Sequence, residues 1–324
     1  MMSSSETSAA NETELSTIVD CFYTALPVLH PSIEKHSSAS ASGTTTKNAV
    51  PPSALIHRQV ESIIAKAQEV LEDPMVKTSR LTQSSGSTDS GEFSLGREGG
   101  VVNASMIHLI RPILNVLRAY YGGTWVVQSE FTRIIADHVR GIQETESTKR
   151  ASSVRHDLVF NKGPGENSDT IAVVEFKKRA NIRYRDFVPA ILPCSASKSD
   201  VAKKVANADA GRKPNFLKGN AVHYMGQTAT YAHVTKCCHT ALFNWDYLLL
   251  LDFHQVHQKT NATAGTEAYI TWISEDETDL KAIADQAKAK GQAFIIEEHH
   301  ISMALLGWLI QAFEDAGYKK AEDS

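Results

Sequence analysis

Two short stretches of this chain set chemically active side chains where strands would hold them. In Ile171-Ala-Val-Val-Glu-Phe-Lys177, β alternation puts residues 171, 173, 175 and 177 on one face, so Glu175 and Lys177 point together while Ala172, Val174 and Phe176 point the other way. An acid and a base thus stand side by side at the end of an otherwise apolar strand. The stretch before it, Val154-Arg-His-Asp-Leu-Val-Phe160, carries one carboxylate, Asp157, among residues that favour burial. A hairpin whose opposed residue numbers sum to an even value brings Asp157 and Glu175 to one face; an odd register separates them. Two carboxylates that close repel each other. Relief comes from a shared proton or a hard divalent cation, and the adjacent Lys177 favours the cation.

Asp157 followed by Glu175-Phe176-Lys177 resembles the PD-(D/E)xK nuclease superfamily, whose restriction-endonuclease-like fold is α/β with an αβββαβ core. Further along, Gln227-Thr-Ala-Thr-Tyr231 is similar to the Gln-x-x-x-Tyr motif of its RecB and lambda-exonuclease-like branch. Positions i and i+4 share a helix face, so Gln227 and Tyr231 address the same strand ends or a bound phosphate. Carried over residue by residue, the resemblance implies hydrolysis of phosphodiester bonds in DNA, with RNA as the other substrate. Asp157, Glu175 and the Phe176 carbonyl would hold Mg²⁺ or Mn²⁺. Lys177 would position or activate the attacking water and stabilise charge on the phosphate. Gln227 and Tyr231 would support the site and contact substrate. His156 stands where many members have proline. Glu130 is the candidate for an additional metal-ligating carboxylate, with Asp137 as its rival. The alternative function is a catalytically inactive nuclease-like module that binds nucleic acid or protein.

The elements that must position these residues follow from hydrophobic period. Ile56, Val60, Ile63, Ala67 and Val70, followed by Pro74, predict one helix; Met106, Ile110, Ile113, Leu117 and Tyr120, closed by Gly122-Gly123, predict another. Strands are predicted at Trp125–Phe131, Val154–Phe160, Ile171–Phe176 and Tyr247–Phe253, with a fifth at Ala268–Ile273. A helix is expected from Ala221 to Phe243. The tail reads as a charged helix (Asp279–Lys290), a short apolar run (Phe294–Ile296) and a helix with Ile301, Leu305, Trp308, Leu309 and Ala312 on one face. The order helix, three strands, helix, strand matches the core that the resemblance implies, with helices added at both ends. The expected division is an arm over 1–52 with a short docking helix between Leu15 and Leu29, a helix and polar linker over 53–100, the core over 101–273 and a helical extension over 274–324.

Composition excludes several classes. With 42% hydrophobic and 22% charged residues, the chain is neither collagen-like nor wholly disordered. Ser, Thr and Ala fill 23 of the first 50 positions, the composition of a flexible arm. No run approaches the roughly 18 apolar residues of a membrane helix, and the first residues lack the basic and apolar regions of a signal peptide. The expectation is a soluble intracellular protein, nuclear or cytoplasmic, with no membrane partner and with its four cysteines reduced. The formal charge is −4, yet Phe176 to Asn220 holds 11 Lys or Arg against three Asp. That basic segment follows the proposed catalytic strand, so Lys178, Arg179, Arg183, Arg185, Arg212, Lys213 and Lys218 are the candidates for nucleic-acid contact.

Overall fold

The structure is a computed structural model that describes residues 17–27, 50–79, 98–135, 152–164, 168–211, 215–257, 265–292 and 294–321. A 3-10 turn at Val19–Phe22 precedes strand β1 (Ala54–His57) and helices α1 (Glu61–Glu72) and α2 (Pro74–Lys77). Helix α3 (Glu98–Ser105), a π turn at Met106–Ile110 and α4 (Arg111–Tyr121) run on as one helix of 24 residues. The central elements are β2 (Val126–Ile135), β3 (Ser152–Asn161), β4 (Thr170–Phe176), α5 (Tyr184–Phe187), β5 (Ile191–Leu192), α6 (Lys198–Ala210), α7 (Gly219–Thr235) and β6 (His239–Phe243). The chain continues through β7 (Leu248–Asp252), β8 (Glu267–Ser274), α8 (Glu277–Ala289), β9 (Ile296–Glu298) and α9 (Ile301–Asp315).

These strands form one mixed sheet flanked by helices, ordered β2-β3-β4-β6-β7-β8-β1-β5, with β9 paired to β8. β2, β3 and β4 pair antiparallel, whereas β4 and β6 pair parallel. Parallel neighbours need a crossover, and the segment with α5, α6 and α7 supplies it. Alternate residues of the central strands face two apolar layers. Leu158, Phe160, Val174, Phe176 and Phe243 pack with α1, α4 and α9; Leu242, Leu249, Leu251 and Trp272 pack with α5 and α7. Helix α9 is buried along every residue from Ile301 to Ile310. Its Gly307 meets α1 backbone to backbone: a Cβ there would stand 1.9 Å from the Ile63 carbonyl oxygen.

The continuous helix from Glu98 to Tyr121 has the length and, over its most apolar 18 residues, the mean hydropathy (1.3) of a membrane span. Half of that window is buried inside the protein, where Val101, Ile110, Ile113 and Leu117 join the core.

Sequence period misplaced several elements. Ile56 is not on a helix: Ala54, Leu55 and Ile56 are all buried in an inner strand between β8 and β5, and the helix starts at Glu61. The helix expected from Ala221 to Phe243 ends at Thr235, where Lys236 takes a left-handed φ of 55°. His239–Phe243 then forms β6, buried at all five positions. A fully buried strand lacks alternation, so its apolar run reads equally well as helix. The strand that follows the crossover and pairs with β4 is therefore β6, and Tyr247–Phe253 supplies the next strand, β7. The run at Phe294–Ile296 yields β9 only from Ile296 onward. Helix α6, fixed by a Ser197–Asp200 capping box, and the short α5 and β5 were not anticipated.

Candidate active site

The β3–β4 hairpin decides whether the acids meet. Leu158 opposes Val174, Val159 opposes Val173 and Phe160 opposes Ala172, and the register shifts only at Asn161. Continued by one pair, the even register sets Asp157 across from Glu175. Val159 and Val173 share that face with Tyr231 of α7, so the acids lie on the face that α7 covers. The Phe176 backbone N–H donates to Asp157 Oδ2 at 2.9 Å, tying the motif acid to the strand that carries Glu175 and Lys177.

Glu175 and Lys177 are 3% and 6% exposed. Lys177 Nζ donates to Glu175 Oε1 at 2.5 Å and lies 5.3 Å from the centre of the Tyr224 ring, a cation–π contact. Gln227 Nε2 donates to the same Oε1 at 2.6 Å and also to the Tyr231 hydroxyl. Gln227 and Tyr231 share one face of α7, as their i, i+4 spacing requires, and Gln227 ties that face to Glu175. Two donors fix Oε1, while Glu175 Oε2 is buried with no hydrogen-bond partner among the described residues. Burial pushes the Glu175 carboxyl up to about 7 against the pull of Lys177, and Asp157 and Glu98 add to the rise. Burial pulls Lys177 down, but Glu175, Glu98 and Asp157 outweigh it, and its pKa ends above the ordinary lysine value. Burial also raises the Tyr231 hydroxyl well above its ordinary value, with Glu175 adding to it.

Glu98 was missed by sequence reasoning. It is the first residue of α3, and its charge is felt by Glu175, Lys177 and Tyr224 together. The apolar period begins only at Met106, so Glu98 fell into the expected linker. The helix nevertheless extends eight residues further back, and an acid in a first helical turn before an apolar helix was the available signal. Glu130 takes the β2 position across from Asp157, between the pairs Ser129–Leu158 and Phe131–His156, but its side chain lies outside the described residues. Asp137 lies outside them altogether. Among the described residues no three His, Cys, Asp or Glu side chains are grouped to hold a metal.

The basic segment divides into paired and unpaired cations. Arg179 Nε donates to Asp246 Oδ1 at 2.6 Å, and Arg183 donates through Nε and Nη2 to Asp186 Oδ2 at 2.9 and 2.7 Å. Lys178, Arg185 and Lys218 make no ion pair with a described residue; Arg212 and Lys213 lie outside the described residues. The Arg179–Asp246 bond joins the turns that follow β4 and β6. Each turn holds a non-glycine residue in the left-handed region, Ala180 at φ 63° and Trp245 at φ 77°, an arrangement that costs energy and clusters at functional sites.

Oxygen donors suit a hard divalent cation, and Glu175 Oε2, buried on the strand beside Asp157 without a hydrogen-bond partner among the described residues, fits such an ion. No protein-family model, curated protein or solved structure matches the chain.

Proposed function

We propose that this chain is a metal-dependent nuclease of the PD-(D/E)xK kind, with a restriction-endonuclease-like core formed by the α3–α4 helix, β2, β3, β4, α7 and β6. The observation that carries this reading is the convergence of Asp157, Glu175, Lys177, Gln227 and Tyr231 on one sheet face, with a buried Glu175 oxygen left unsatisfied. That arrangement is expensive for a purely structural core, because buried like charges and an unpaired oxygen destabilise the fold.

Asp157, Glu175 and the Phe176 carbonyl would hold Mg²⁺ or Mn²⁺, which supplies Lewis-acid polarisation of the phosphate and a more acidic bound water. Gln227 holds Glu175 Oε1, which leaves Oε2 as the oxygen that would bind the ion. Lys177 keeps its proton, since three carboxylates favour the charged form. Its ammonium, at the strand end, orients the attacking water and offsets charge developing on the phosphate oxygens. Tyr231 stays protonated and braces Gln227.

The test is incubation of the full chain with labelled single- and double-stranded DNA and RNA in Mg²⁺, Mn²⁺ or EDTA. Products are expected with either metal, none in EDTA, and none from Asp157→Asn or Glu175→Gln. Binding without product in every metal would leave a nuclease-like binding module instead.

A further inference from the structure

Beside the site, the turns after β4 and β6 open into a second cavity of about 380 Å³. Its inner wall is apolar and aromatic, made by Ile182, Val188, Ile283 and the half-buried ring of Tyr247. Four cations line it as well, Arg179, Arg183, Arg185 and Lys290, against one acid, Asp246. The amides of Gln286 and Gln292 add donors and acceptors from the α8 side. Arg179 and Arg183 are held in place by Asp246 and Asp186, and each guanidinium keeps N–H donors beyond those its carboxylate takes. Arg185 and Lys290 are exposed and form no ion pair with a described residue.

Each half of this lining excludes a simpler ligand. An inorganic anion has no use for the apolar wall, and an apolar ligand has none for four cations. The volume is that of a small-molecule pocket, far too narrow for a duplex. A base stacked on Tyr247, its edge read by the glutamines and its phosphate at the arginines, satisfies all three parts. We propose that the cavity takes one unpaired nucleotide of the substrate strand. The cavity starts two residues beyond Lys177, and a buried polar row links them: Tyr224 lies under Lys177 and bonds to Asn181 and Asn220, and Asn220 Nδ2 donates to the Asn181 carbonyl at 3.3 Å. A strand with one nucleotide in the cavity would thus run along the turn that starts at Lys177. For its role this inference rests on the nuclease reading; the consequence is preference for single strands and unpaired ends over blunt duplex.

Binding is tested apart from turnover. Full-length Glu175→Gln in EDTA is titrated calorimetrically with thymidine 5′-monophosphate, adenosine 5′-monophosphate and inorganic phosphate. Saturable nucleotide binding is expected, with inorganic phosphate at least tenfold weaker. Gln286→Trp, which fills the cavity from an exposed helix position, and Lys290→Glu in the lining should each weaken nucleotide binding at least tenfold at unchanged melting temperature. In the otherwise unmodified chain Gln286→Trp should raise KM on single strands at least tenfold and leave kcat in place. Equal affinity for inorganic phosphate, no nucleotide binding, or variants indistinguishable from the parent would each overturn the proposal. Nucleotide binding in a chain that yields no product on any substrate upholds the cavity and removes the nuclease reading.

Discussion

At the C-terminal end of β4, Lys177 and Glu175 form a buried ion pair; at the start of the neighbouring strand β6, the buried His239 pairs with the exposed Asp315 at 2.9 Å. Both ends keep a buried polar atom without a partner, Glu175 Oε2 and His239 Nδ1. The environments differ. His239 is braced edge-on by Trp308 at 5.8 Å, and Asp315 is 57% exposed, so water shares the cost of one cation and one anion. Around Lys177 the carboxylates Glu175, Asp157 and Glu98 outnumber the cation, and both members of the pair are buried. One end resolves its charges; the other accumulates like charges that another cation would relieve. Such unrelieved charge at a buried polar site is a physical mark of function.

The largest expected effect separates the two ends by activity. Asp157→Asn or Glu175→Gln should lower metal-dependent cleavage by about 10²–10³-fold or more, whereas Asp315→Asn should leave it within about twofold, being removed from the reacting groups. Initial rates on labelled DNA decide this. Comparable losses at both ends would erase the distinction between a chemical and a structural pair.

How far the two ends were legible in the sequence follows from periodicity. Alternation around Val173 and Glu175 fixed the facing of Glu175 and Lys177, and the i, i+4 spacing of Gln227 and Tyr231 fixed their convergence, because local geometry dictates both. The pairing of His239 with Asp315, 76 residues apart, had no local signal, and the first-turn acid that marks Glu98 as a helix start does not say which strand it meets. β6 was hidden for a related reason: Thr240-Ala-Leu-Phe243 is buried on both faces, so it carries no alternation to separate strand from helix. β1 suffered the same fate at Leu55 and Ile56, whose partners Ala268 and Tyr269 lie on a distant strand.

A second prediction sharpens the contrast through pH, in EDTA. Glu175 has its folded pKa raised to about 7 from 4.5. Its favourable contribution is therefore fully present below the unfolded value and is lost as pH rises through the folded one, because the native state must bury a carboxylate that the unfolded chain ionises freely. Between pH 5 and 8 the metal-free protein should lose up to about 3 kcal/mol more than Glu175→Gln does, since the loss that comes through His239 is common to both. Denaturant unfolding at both pH values measures the difference; parallel curves would show that Glu175 is already charged at pH 5.

The other end titrates higher. Burial would lower His239, but its bond to Asp315 prevails and lifts it to about 9. A histidine raised in this way stabilises fully below its unfolded value, and the contribution disappears as pH rises through the folded one. Asp315→Asn should cost about 1 kcal/mol at pH 6, a figure discounted because Asp315 is half exposed, and the gap should close by pH 10. A cost that persists at pH 10 would mean that packing on Trp308, rather than charge, is what the pair supplies.

The smallest expected effects lie in the basic segment, where paired and unpaired cations can be told apart by salt. Log affinity for nucleic acid should fall linearly with log salt, by about 0.9 per duplex phosphate neutralised and about 0.7 per single-strand phosphate. Lys178, Arg185 and Lys218 make no ion pair with a described residue, so each alanine replacement should flatten the slope by about one contact's share. Arg179 is compensated by Asp246, so replacing both by alanine should shift affinity more than slope: positioned donors are lost while net charge stays the same. Fluorescence anisotropy with Glu175→Gln across a salt series reads all four. A slope near zero in that parent would mean that nucleic acid is not the partner, and these cations would then be an ordinary solvated face.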